Sequence, residues 1–144
     1  MSRPEPLRLL AQDADDLEVI SAALQDAVAK VGDLEWDARG RRFTVALNRF
    51  RWEAAGGLLG ERVRAGLQFG SVLAVKSRNL RREAPEAVIE LLAVSFEPGE
   101  TPGGEIRLAF AGGGDVVLTV ECVDAALADV SPPWRTPSTP AHGG

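Results

Sequence analysis

Apolar and polar residues alternate along this chain in two rhythms, and the rhythm changes near residue 30. Leu7-Arg8-Leu9-Leu10 reads as a short strand. Asp13 then offers a helix cap, and Asp15 and Asp16 fall in the first turn, where the helix dipole favours negative charge. Leu17, Ile20 and Leu24 follow at helical spacing, which predicts a helix over 14–26 with one apolar stripe.

Beyond that point the period is two. Leu34 and Trp36 alternate with Asp33, Glu35 and Asp37; Phe43, Val45 and Leu47 alternate with Arg42, Thr44 and Ala46. The turn Ala38-Arg39-Gly40-Arg41 between them predicts a hairpin in which Trp36 meets Phe43, Leu34 meets Val45, and Asp37 meets Arg42. Phe50 and Trp52 fall out of phase with Phe43 to Leu47, so a bulge is expected near Asn48-Arg49. Residues 54–60 read as a loop. Val63, Ala65, Leu67 and Phe69 alternate again. Residues 72–75 and 87–96 are apolar in both phases and read as strands buried on both faces. Ile106, Leu108 and Phe110 lead through Gly112-Gly113-Gly114 into Val116, Leu118, Val120 and Cys122, a second hairpin. Val123, Leu127 and Val130 sit at helical spacing and predict a short helix near 122–130.

These elements compose an α+β, β-rich domain. About seven antiparallel strands are expected, closed as a barrel or roll, with one helix at each end. The layout is similar to a pleckstrin-homology (PH-like) barrel, whose C-terminal helix plugs an open end; an open sheet packed by two helices is the rival. Residues 1–131 form the domain, and the Pro-rich stretch 132–144 is expected to be a disordered tail, with Trp134 folding back on the core.

The 144 residues suffice for one core without staples. The one cysteine, Cys122, forbids an intrachain disulfide, and it is expected to be a small core residue. No apolar run approaches the roughly 20 residues of a membrane span, and the opening residues lack a secretory pattern. A cytoplasmic protein is expected. The only histidine is His142 and tyrosine is absent, which removes the usual triads and most zinc sites. The Gly112–Gly114 run lacks the Lys-Ser/Thr of a P-loop and leads into a strand. No cofactor, metal or catalytic residue is expected.

Charge is segregated: residues 1–38 carry −6, residues 39–82 carry +9, and residues 83–144 carry −8. Fourteen of the sixteen bases are arginine, whose planar guanidinium suits phosphate and carboxylate. Arg42, Arg49, Arg51, Arg62 and Arg64 are therefore the candidate anion- or partner-binding residues, with Glu53 as a carboxylate beside them; Arg39 and Arg41 extend the block. The plainer reading is that these arginines are solvated or answered by acids on neighbouring strands. Asp33, Glu35 and Asp37 match no calcium loop and read as a solvated strand face. Phe50 and Trp52 share a face, which favours core packing over base stacking, and the net charge of −5 disfavours nucleic acid.

Several of these residues carry a resemblance. Asp16-Leu17 with Ser21 to Ala27, Asp33-Leu34, and Arg42-Phe43 are similar to an uncharacterised bacterial family, domain of unknown function 2948. So are the run Leu47-Asn48-Arg49-Phe50-Arg51-Trp52-Glu53, the stretch Phe110 to Cys122, Trp134 and Pro140-Ala141-His142. The resemblance implies a bacterial cytosolic protein and carries no assigned site residue. The leading expectation is a non-catalytic binding or assembly module working through protein contacts, with a protein partner or a homodimer. A small-anion site or an unrecognised enzyme using the Arg block comes second, and single-stranded nucleic acid third.

Overall fold

A computed structural model describes residues 6–51 and 60–136. Strand β1 (Arg8–Ala11) leads into helix α1 (Ala14–Ala23). Asp13 caps that helix, its carboxylate accepting the Asp16 N–H at 2.8 Å, and Leu17, Ile20 and Leu24 are buried as the stripe predicts. The helix stops short of 26; Asp26 adopts φ 64°, a conformation no helix continues through. The chain then forms β2 (Val28–Lys30), a single 3-10 turn, β3 (Leu34–Asp37), β4 (Arg42–Phe50), β5 (Gly60–Phe69) and β6 (Val72–Arg78). It ends with β7 (Val88–Pro98), β8 (Gly104–Phe110), β9 (Asp115–Val120), β10 (Ala125–Asp129) and β11 (Trp134–Thr136).

Every pairing is antiparallel. The strands run in the order β1-β10-β5-β4-β2-β7-β8-β9-β6, with β3 beside β2 on the flank of β4 and β11 on the flank of β5. The path has two ends, so the sheet curls without closing. The hairpin register is the expected one, with Leu34 opposite Val45, Trp36 opposite Phe43 and Asp37 opposite Arg42.

The expected fold class needs correction. Among the described residues there are eleven strands and one α-helix, not seven strands with a helix at each end, and no barrel. The stretch 122–130 is the decisive difference. Its apolar residues fit a helical stripe, yet Val123, Ala125 and Leu127 also alternate with Asp124, Ala126 and Ala128, and the strand phase wins. As β10 this stretch fills the slot between β1 and β5, which gives both of its edges hydrogen-bond partners. With no C-terminal helix among the described residues and an unclosed sheet, the PH-like layout fails. The other unforeseen strands, β2 and β11, are only three residues long, too short for a periodic signal. Trp134 lies in β11, opposite Arg62, and is partly exposed.

Two local expectations also change, and a third falls almost wholly outside the described residues. No bulge interrupts β4; its register with β5 runs unbroken from Phe43 opposite Phe69 to Phe50 opposite Arg62. Arg49 simply takes the core phase in place of an apolar residue, while Phe50 is buried on the other side, its ring packed over Gly60. The loop expected over 54–60 falls outside the described residues except for Gly60, which opens β5, and Trp52 and Glu53 lie outside them too. Strands β6 and β7 are not buried on both faces. Their registers shift at Leu73 and Leu92, turning both leucines outward to 49% and 47% exposure.

One continuous core joins α1 to the inner faces of the sheet.

Candidate partner-binding groove

The five candidate arginines do not converge. On the inner face of β4, Arg49 is fully buried, its Nε and Nη2 donating to the two carboxylate oxygens of Asp129, each at 2.8 Å. Asp129 also accepts the Leu7 N–H at 2.8 Å. Arg51, just past the strand, donates to Glu61 at 2.5 Å. On the outer face, Arg64 reaches Asn48 Oδ1 at 3.2 Å and Asp33 at 3.4 Å, and Arg62 donates to the Asn48 carbonyl at 3.3 Å. These two are brought together beside Asn48. Arg42 stands alone at the far end of β4. It faces Asp37 in register but forms no ion pair with it; Asp37 instead accepts the Gly40 N–H at 3.0 Å and fixes the turn. Of the flanking arginines, Arg41 pairs with Glu121 at 2.9 Å.

A further ionic centre was not anticipated. Asp115 lies buried at the start of β9, bonded by Arg78 at 2.6 and 3.0 Å and by Arg107 at 2.8 Å. Those two guanidiniums hold its carboxyl down at about 2, against a burial effect that opposes them. At Lys30, the Glu86 carboxylate at 2.7 Å raises the ammonium above its ordinary value. Cys122, expected in the core, is only half-buried.

Two concavities stand out. The larger, about 800 Å³, lies around Arg51, Glu61, Asp129, Arg135 and three prolines. Three of its four charged groups are already engaged in the ion pairs of Arg51 with Glu61 and Asp129 with Arg49.

The second is a groove of about 340 Å³ where the sheet fails to close. Trp36 and Leu34 of β3, with Val31 and Phe43, form one wall; Val75 and Ser77 of β6, with Leu80 and Arg82, form the other. Both bordering strands have a bare edge. Among the described residues β3 pairs only with β4, and β6 only with β9. A bare strand edge presents a row of unpaired N–H and C=O groups, the template on which another polypeptide adds a strand. Arg82, in the wall, has no ion-pair partner among the described residues, and neither does Lys76 on β6. The sequence pattern located both strands but not the groove, because periodicity does not reveal which edges remain unpaired.

The described residues contain no group of three or more His, Cys, Asp or Glu placed to hold a metal ion. No described helix is long and apolar enough to cross a membrane. A family model described as a protein of unknown function, DUF2948, matches residues 7–142. No curated protein and no solved structure matches the chain.

Proposed function

For this chain, which belongs to the DUF2948 family of proteins of unknown function, we propose a non-catalytic binding or assembly module that works through protein contacts, in a cytoplasmic setting. The groove between β3 and β6 is its contact site, and strand addition is its mode. One observation carries the reading: two strand edges, bare among the described residues, border one apolar groove. Backbone groups at such edges supply affinity, and the groove residues Trp36, Leu34 and Val75 select the side chains that fit. The answered arginines support it from the other direction. Arg49, Arg51 and Arg64 are each bonded to a carboxylate, so the Arg block offers less to a small anion than its sequence promises.

A photo-crosslinking scan of the full chain tests this. Benzoylphenylalanine is placed at position 76 or 35, on the exposed face of the two strands whose edges border the groove and where an added strand would lie alongside, and at exposed position 100 as a control, with expression in the native cell. Protein adducts are expected from 76 and 35 and not from 100. Absence of adducts from both groove positions, with thermal stabilisation by a phosphorylated or carboxylated metabolite, would transfer the case to the small-anion reading.

A further inference from the structure

We infer that the partner in this groove is a second copy of the same chain, bound so that β3 of each copy pairs with β6 of the other. The inference rests on the protein-contact reading of the groove and deepens it.

Strand direction is the first argument. β3 runs toward the hairpin turn at residues 38–41. β6 begins at that turn, where the Val72 N–H donates to the Arg41 carbonyl at 2.9 Å. The chain then runs away from it, and the carbonyls of Pro85 and Ala87 accept the N–H groups of Gly32 and Val31, next to the start of β3. β3 and β6 therefore border the groove in opposite directions. A two-fold axis along the groove preserves strand direction while exchanging the two sides. It sets β3 against β6 of the other copy, antiparallel, and does so twice. One operation completes both bare edges, which is the self-complementarity a closed dimer requires.

Charge selects this axis over the alternative. β3 carries Glu35 and Asp37 at its exposed positions, and β6 carries Lys76 and Arg78. Glu35 and Lys76 have no ion-pair partner among the described residues. Each alternates with a groove-lining neighbour, Trp36 or Val75, so each faces away from the groove. Pairing β3 with β6 sets acid against base. An axis across the strands would set β6 against β6 and oppose like charges, which cross-strand pairing disfavours.

The chain's own undescribed stretches are poor candidates for the groove. Pro6, Arg51 and Arg135, which lie next to them, all line the other concavity. Arg51 is separated from Phe43 at the groove by eight residues of strand and its extension, roughly 26 Å at about 3.3 Å per residue. The stretch 137–144, Pro-Ser-Thr-Pro-Ala-His-Gly-Gly, brings no large aliphatic or aromatic side chain to fill an apolar groove.

Sedimentation equilibrium on the full chain tests the inference, using wild type, Glu35→Lys, Lys76→Glu and the double variant. Both positions are exposed, and circular dichroism confirms that each variant is folded. The wild type is expected at twice the chain mass. Each single reversal raises the dissociation constant about tenfold, since symmetry counts each contact twice. The double variant returns it to within a few fold of wild type. A monomer at every concentration, or a dimer indifferent to both single reversals, overturns the inference. A monomer that still crosslinks a different protein from position 76 leaves the groove reading standing, whereas no adduct of any mass removes both.

Discussion

Arg49 and Asp129 show how one residue out of pattern is accommodated. Both sit in the core phase of their strands, Arg49 in step with Val45 and Leu47, and Asp129 in step with Ala125 and Leu127. An isolated charge at either position would be expelled by its desolvation cost; the two-pronged contact makes the pair tolerable. Asp129→Ala leaves the Arg49 guanidinium buried without its carboxylate and is expected to lower stability by about 3–5 kcal/mol in urea unfolding. The double replacement Arg49→Met with Asp129→Leu should recover much of that loss, because no charge is then left inside. Asp115 makes a prediction in pH. Its carboxyl ionises lower in the folded chain, at about 2, than the ordinary 3.8. The stabilisation is therefore complete above about pH 4 and is lost as pH falls toward 2. Thermal melts over that range should show Asp115→Asn with a flatter acid limb than wild type. The core phase of Arg49 was not legible in the sequence, where the apolar Phe50 argued for a bulge beside it; nor was its partner, because residues 125–129 had first to be recognised as a strand.

Among the elements, β5 carries an unforced weakness. Gly66 lies mid-strand, between Ala46 of β4 and Ala128 of β10. Its φ is not positive, and an added Cβ would meet nothing within 4 Å. Glycine there loses more chain entropy on folding than alanine would, without a conformational reason. Gly66→Ala is expected to raise stability by about 0.5–1 kcal/mol, read as a higher urea midpoint at unchanged slope. Gly104 is the opposite case. A Cβ there would fall 2.3 Å from the Glu97 carbonyl oxygen and 2.8 Å from the Phe96 ring, so Gly104→Ala should destabilise the β7–β8 pair. Element type was readable wherever one period had no competitor: the α1 stripe, the β3–β4 hairpin with its register, and the alternation along β5. It failed at 122–130, where alanines satisfy both periods and the vacancy between β1 and β5 decides. It also failed on burial at Leu73 and Leu92, because register shifts arise from pairing and leave no mark in local composition.

For the molecule as a whole, segregated charge along the chain becomes largely paired charge in space. The basic middle block is answered from both acidic flanks, through Arg64 with Asp33 on one side and Arg41, Arg49 and Arg78 with Glu121, Asp129 and Asp115 on the other. Sequence distance concealed these pairs, since most join residues from about thirty to eighty positions apart. Arg82 and Lys76, where the sheet stops short of closing, are without an ion-pair partner among the described residues. Curvature and closure depend on how all strands add up, so no single segment announced the gap. Hydrogen exchange on the full chain, followed amide by amide from dilute to concentrated solution, addresses that gap directly. If the edges at 34–37 and 72–78 are completed by a second chain, their amides slow as concentration rises while those of the opposite edge at 8–11 do not. Exchange at 34–37 and 72–78 that is indifferent to concentration would contradict the account.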